Sequence, residues 1–490
     1  MLCSAIGQLV DSTPNPAPRN TSEDAGSEGD AIGDITTLVA RFRTVISPPL
    51  PLDADIIWLL QELENHGRAS DLDFCITYWS EAIELLYNDP LRKAYAFLGL
   101  GASQSVRAGL RSDLSGLDIS ILTLQRAIEL FTTENQHKAD ACLALGAAQL
   151  NRFQLCSDRP DLDLDNLDSP MSNFQRALDF YPINCPNAGT ASILLCALKL
   201  WRYRLHPDQV DPTSVVSIIE EAFELLPEGH PCRPLALCLL GTYNFIQFQR
   251  SSELLHLDAS ISNYRKAAAQ LSLTKQLEVL GLLGISYLHR YRLRKETPDL
   301  DASISNLRKA TELQVENNEK QAWHFLNMGL AFHDRFKLYQ ELPDIDRAIS
   351  HMRNATELCL ESAPMRIEAF LTLGIFFLDR YNLHHLLPDS DASISNLQKA
   401  VEICPDNHHF RAAVFYWLGR SHFRRFHLLR RVPGVDSEAA VANLERAVAS
   451  SQASNPEHAK YVEALSQAKE GHSPSLGMFP EPHLSVMIVE

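Results

Sequence analysis

The sequence predicts an all-α, right-handed solenoid of about nine tandem helix-turn-helix units with a period near 45 residues. Three observations carry this expectation. One phrase returns along the chain, as LDASISNYRKA at 257, LDASISNLRKA at 300, IDRAISHMRNA at 345 and SDASISNLQKA at 390. The residues around it keep a rigid interval, since Gly284, Gly329, Gly374 and Gly419 are 45 apart, as are Pro298, Pro343, Pro388 and Pro433. No segment shows the sustained period of two that a half-buried strand requires. Self-similarity at a fixed period means units that cannot bury an apolar face alone and do so by stacking.

Taken in chain order, residues 1–34 are rich in Ser, Pro, Gly and acids and read as a disordered acidic tail, because they hold too little apolar material to offset the entropy of ordering. Residues 35–470 form the array and 471–490 a carboxyl-terminal tail. Within the array, the alanine of the KA/RA phrase recurs at Ala82, Ala127, Ala177, Ala222, Ala267, Ala310, Ala355, Ala400 and Ala447, which sets the unit number at about nine. The first helix of each unit surrounds the glycine and carries apolar residues at helical spacing, as in Phe325, Met328, Phe332 and Phe336. The second is expected to begin after Pro-x-x-Asp, with proline halting what precedes it and aspartate capping the free N–H groups. Its apolar line runs Ile304, Leu307, Ala310, Leu313.

Composition narrows the function classes. A chain of 490 residues is too long for one ordinary core, and 45% hydrophobic residues are enough to fold it. The formal net charge of -17 repels phosphate backbones, so nucleic acid is not an expected partner, and the local basic run His422, Arg424, Arg425, Arg430, Arg431 reads as a solvated face. Ten cysteines without a C-x-x-C pair read as small buried hydrophobes in a reducing, cytoplasmic setting. No apolar stretch approaches the length of a membrane span, so no membrane is expected. No cofactor or metal is expected either: no P-loop or GxGxxG is present, and the pairs His384-His385 and His408-His409 have no further ligand near in sequence. No catalytic residue can be named, and the chain is read as non-enzymatic.

A second recurrence joins the two helices of each unit. Arg290 and Asp301, Arg335 and Asp346, Arg380 and Asp391, and Arg425 and Asp436 are each 11 apart, and are expected to form structural ion pairs between one helix end and the next helix start. A residue repeated in every unit builds the unit more readily than it grips a ligand.

The pattern Leu283, Gly284, Tyr287 in a first helix, with Ser260, Tyr264 and Ala267 in the second helix before it, resembles the tetratricopeptide motif; Gly329 and Phe332, with Ser303, Leu307 and Ala310, repeat it. Pro182, Pro227 and Pro405 stand where that family closes its unit, and both connections are longer here. The wording of the units, LG followed by RF or RY and then PDLDASISNLRKA, also resembles fungal repeat arrays that precede a CHAT-type caspase-like peptidase domain, over roughly residues 70 to 450, with no such domain in this sequence. The tetratricopeptide resemblance implies a concave groove lined by first helices. Carried onto this chain, the positions one, four and five after Leu-Gly are Ile285, Leu288 and His289; Leu330, His333 and Asp334; Ile375, Leu378 and Asp379; and Arg420, Phe423 and Arg424. The polar ones, His289, His333, Asp334, Asp379, Arg420 and Arg424, are the expected partner-binding set, with packing against neighbouring helices as the plainer alternative for the apolar ones. The leading expectation is a protein-interaction scaffold that holds a protein or peptide segment. The alternative is a regulatory or sensor module acting with a separate effector such as a caspase-like peptidase.

Overall fold

The computed structural model describes residues 69–470, apart from short segments at 87, 157–166, 183–184, 206–211, 231, 272–275, 313–317, 360–363, 430–434, 453–454 and 456. The two expected tails, the expected start of the array at 35–68, and Arg430, Arg431 and Pro433 lie outside the described residues. Among those described there are 18 helices and no strand. The fold is an all-α tandem helical repeat.

The chain divides into two compact units, Leu2–Ile246 and Gln247–Glu490, with the division inside one helix. The amino-terminal unit contains α1 (Ala69–Leu85), α2 (Pro90–Arg111), α3 (Leu114–Leu130), α4 (Gln136–Cys156), α5 (Asp168–Phe180), α6 (Pro186–Leu205), α7 (Pro212–Leu225) and most of α8 (Arg233–Ser251). In the carboxyl-terminal unit follow α9 (Leu254–Gln270), α10 (Gln276–Arg294), α11 (Thr297–Glu312), α12 (Asn318–Tyr339), α13 (Leu342–Leu358), α14 (Pro364–His384), α15 (Leu387–Ile403), α16 (Arg411–Leu428), α17 (Val435–Ala449) and α18 (His458–Lys469). Each first helix packs on the second helix that follows it, as α2 on α3 and α4 on α5 in one unit, and α10 on α11, α12 on α13, α14 on α15 and α16 on α17 in the other.

The recurring small residues explain the closeness of those pairs. A Cβ on Gly374 would lie 2.5 Å from Leu397 Cγ, and one on Gly284 would lie 2.7 Å from Leu307 Cγ, so only glycine lets the leucine of the second helix rest on the first helix's backbone. The recurring alanine is buried completely at Ala127, Ala177, Ala267, Ala355, Ala400 and Ala447. Ser393 adds a polar tie, donating 2.8 Å to the Gly374 carbonyl oxygen, as Ser120 does to Gly101. Apolar burial runs through each unit. Leu124, Ala127, Phe131, Cys142 and Leu145 share one cluster in the first unit, and Leu371, Ile375, Leu397, Ala400 and Val414 share one in the second.

The turn inside each helix pair departs from expectation. Lys295, Gln340 and His385, 45 apart, adopt left-handed φ values of 59°, 56° and 54°, and their N–H groups bond back to the carbonyls of Tyr291, Phe336 and Tyr381. This ends one helix and starts the next within two residues. The proline therefore does not precede the second helix. Pro343 and Pro388 lie in the first turn of α13 and α15, where a missing N–H costs nothing. Nor do Asp346 and Asp391, the aspartates of Pro-x-x-Asp, cap: the cap residues are Glu341 and Leu386, without a side-chain bond, Asp346 and Asp391 lie inside the helices, and Asp344 and Asp389, one position past the proline, turn their carboxylates to arginine.

Candidate functional site

The arginine in each first helix does form ion pairs, but mostly with other aspartates than the ones 11 residues on. Arg290 forks onto Asp299 at 2.8 and 2.6 Å, Arg335 onto Asp344 at 2.9 and 2.5 Å, and Arg380 onto Asp389 at 3.1 and 2.6 Å. Asp301, Asp346 and Asp391 are thus not the partners within their own units. Asp346 instead accepts from Arg380 at 2.7 Å and Asp391 from Arg425 at 2.7 Å, each 34 residues later. Asp258 likewise accepts from Arg290 at 2.8 Å. Arg290, Arg380 and Arg425 thus each clamp the second helix of their own repeat to the second helix of the repeat before. The arginine also lies over the ring three residues earlier, Arg335 4.9 Å from Phe332 and Arg380 5.3 Å from Phe377.

Only Arg425 pairs with the aspartate 11 residues on, Asp436, at 2.6 Å. Counting back from the buried alanine explains why. Asp299, Asp344 and Asp389 lie 11 residues before Ala310, Ala355 and Ala400, and Asp436 lies 11 before Ala447, because the last connection is longer by two. Asp436 is therefore the counterpart of Asp389, and its match to the Pro-x-x-Asp interval is a coincidence of that insertion. His422 also reaches Asp436, at 2.8 Å. Burial works to raise the Asp436 carboxyl, but the bonds from Arg425 and His422 hold it below its ordinary value.

The expected groove set divides. His289, Asp379 and Arg424 keep partial exposure. His333, Asp334 and Arg420 are buried, at 3%, 7% and 9% exposure, which an open binding surface does not allow. The apolar positions Ile285, Leu288, Leu330, Ile375, Leu378 and Phe423 are buried as well, so packing claims them. Polar members pair between neighbouring first helices: Arg292 Nε bonds Asp334 at 2.7 Å, His333 Nε2 lies 2.8 Å from Asp379 Oδ2, and Lys320 reaches Glu278 at 2.6 Å. Arg420 lies over the rings of Tyr416 and Trp417. These polar pairs join first helices of about twenty residues in successive repeats, and the residues that make them lose water. Burial pushes His289 down to about 3 and His324 to about 4, lowers Arg424, and raises the Glu368 carboxyl to about 8. Glu368 Oε1 is buried with no hydrogen-bond partner among the described residues.

The histidine pairs are used locally. His385 occupies the left-handed turn position, and His408 Nδ1 accepts from the Phe410 N–H at 3.2 Å while its ring stacks on His409 at 4.4 Å. Among the described residues, no group of three or more His, Cys, Asp and Glu side chains is arranged to hold a metal, and no helix is long and apolar enough to cross a membrane.

Sequence reasoning missed the feature of the second unit with the most distinct chemistry. A cleft of about 500 Å³ opens between α13, α14 and α15. Phe370 and Phe377, only 8% and 2% exposed, lie at its base beneath Arg353, Arg366 and Lys399, beside a single acid, Glu357. Arg353 lies 5.2 Å from the Phe377 ring, and Arg366 and Lys399 lie 5.7 and 5.5 Å from that of Phe370. Arg353 and Lys399 make no ion pair with any described residue. Recurrence in the sequence does not single these residues out, since Arg353 has counterparts in Arg265 and Arg308, Arg366 in Arg411, and Lys399 is the basic residue of the KA/RA phrase.

No protein-family model matches the chain, and no curated protein matches it. Solved structures do. The human IFIT1 dimer with PPP-AAAA is 12% identical, covering 96% of this chain and 92% of that one at a TM-score of 0.46. Yeast Tom70 is 13% identical, with coverage of 86% and 96% and a TM-score of 0.29. The P58(IPK) TPR domain is 14% identical, with coverage of 85% and 98% and a TM-score of 0.23. At such scores the assignment of the fold rests on the helix pairs themselves.

Proposed function

We propose that the chain is a non-enzymatic interaction scaffold that binds a protein or peptide segment. The observation that supports this most is the division of labour among charged residues. The first-helix arginines Arg290, Arg335, Arg380 and Arg425 are engaged in the frame, whereas the cleft gathers Arg353 and Lys399, which no carboxylate among the described residues neutralises. Its net positive lining on a chain of formal charge -17 favours an acidic segment. Of the earlier groove set, Asp379 and Arg424 keep partial exposure and could border such a partner. Eight cysteines among the described residues are free, most of them buried, which supports a reducing, cytoplasmic setting.

The test is capture of binding proteins by the full chain and by the double variant Arg353→Glu, Lys399→Glu. Both side chains are exposed, so the variant should melt with the parent. A partner held stoichiometrically by the parent and lost by the variant supports the reading. Equal capture by both would move the binding surface elsewhere, and capture of a caspase-like peptidase would favour the regulatory alternative.

A further inference from the structure

The cleft has an internal control one repeat earlier. Phe370 and Phe377 of α14 correspond, 45 residues on, to Phe325 and Phe332 of α12. In that earlier repeat the His351 imidazole stacks on both phenyl rings, 5.8 Å from Phe325 at an interplanar angle of 22° and 5.4 Å from Phe332 at 12°. The residue 45 beyond His351 is Asn396, which lines the cleft. Its amide is short and turns back to donate 2.7 Å to the Ala392 carbonyl oxygen of its own helix. Two phenyl rings that share a flat partner in one repeat thus face a cleft in the next.

The other repeats do not offer the same arrangement. Asn306 and Asn443 also bond back to their own helices, but the facing pairs there are Leu280 with Tyr287 and Phe415 with His422. Among the described repeats of the carboxyl-terminal unit, only α14 combines two phenyl rings with a short polar residue opposite them, and Arg353 and Lys399 stand at the rim without an ion pair to a described residue.

From this we infer that the cleft binds an aromatic ring joined to an anionic group, the ring stacking where His351 stacks one repeat earlier and the anion meeting Arg353 and Lys399, with Arg366 beside them. The chemistry is complementary at both ends. A planar ring packs against phenyl faces with a preference for offset or tilted contact, and a phosphate or carboxylate replaces the ring faces as the nearest negative partner of the cations. A volume of about 500 Å³ accommodates such a group. The inference rests on the scaffold reading for its biological source, an acidic segment presenting an aromatic side chain, but its chemistry stands apart from that reading.

The experiment is calorimetric titration of the full chain with phenyl phosphate, set against inorganic phosphate, phenol and adenosine monophosphate. Phenyl phosphate should bind with one equivalent and at least about tenfold more tightly than either half alone. Adenosine monophosphate distinguishes a nucleobase from a phenyl source for the ring. Asn396→His, which places an imidazole as in the preceding repeat, should weaken phenyl phosphate about tenfold without lowering the melting temperature. Arg353→Ala with Lys399→Ala should weaken both phenyl phosphate and inorganic phosphate by about tenfold or more, and these exposed positions keep the test valid if Asn396→His misfolds. Phenyl phosphate binding no tighter than phosphate, or binding unchanged in the double variant, overturns the inference. Binding of phenyl phosphate together with failure to capture any partner protein would leave the inference standing and remove the scaffold reading.

Discussion

The two units use the same arginine at the same helical position and obtain different things from it. In the amino-terminal unit Arg107 pairs with Asp73 and Arg152 with Asp118, each across 34 residues, and Arg202 bonds Asp168 in the same way. The carboxylates there are open to water, 45%, 54% and 64% exposed. In the carboxyl-terminal unit Arg290, Arg335, Arg380 and Arg425 fork onto a carboxylate of their own repeat that is only 7%, 2%, 6% and 14% exposed. The difference is plainest eleven residues before the buried alanine, where the second unit has Asp299, Asp344, Asp389 and Asp436, whereas the first has Gly116 before Ala127 and Asn166 before Ala177. Asp211, before Ala222, lies, like Asn166, outside the described residues. A repeated arginine is therefore an adaptable element, worth little against solvent and much once a buried carboxylate depends on it.

The largest effect expected from this contrast is in the second unit. Arg335→Ala leaves Asp344 buried with only the longer 3.4 Å contact from Arg347, and should destabilise the protein by about 2–4 kcal/mol. Hydrogen exchange should locate the loss at the facing ends of α12 and α13. Exchange and melting like those of the parent would mean that the buried fork is dispensable.

Next in size is a pH dependence confined to the second unit. Burial raises the Glu368 carboxyl to about 8, so the folded state keeps a proton that the unfolded chain releases near its ordinary 4.5. Its contribution is complete below about pH 4.5 and is lost as pH rises through about 8. Glu368→Gln should match the parent near pH 4.5 and exceed it by about 2–4 kcal/mol above pH 8, read from denaturant melts across that range. A constant difference at all pH values would show that Glu368 is not held protonated by its surroundings.

The smallest effect belongs to the first unit. Arg152→Ala removes an exposed pair with Asp118 and should cost at most about 1 kcal/mol, more of it at low salt than at high. A loss as large as that of Arg335→Ala would erase the distinction between the units.

Much of the fold is legible because its determinants are local and periodic. Gly374 and Ala400 recur in register, and the reason is contact: each admits a neighbouring helix that a larger side chain would push away. The candidate site is less legible. Arg335 has Asp344 and Asp346 both within reach in sequence, and only the two-residue turn through Gln340 aims the first at it and the second at Arg380. The groove expectation erred for a related reason, since His333 and Asp334 lie on the face predicted to be open but are covered by helices contributed from other repeats.

By itself, then, the sequence determined the helix pairs, their glycine and alanine contacts, and the positions of the recurring charges, because each depends on side-chain size or on spacing along one helix. The tertiary structure decided which carboxylate each arginine holds, which polar residues lose water, and that Phe370 and Phe377 face a cleft while Phe325 and Phe332 face His351. Those outcomes depend on distances between repeats, where a turn of two residues or an imidazole in place of an amide moves a side chain by several ångströms, and spacing along the chain carries no measure of that.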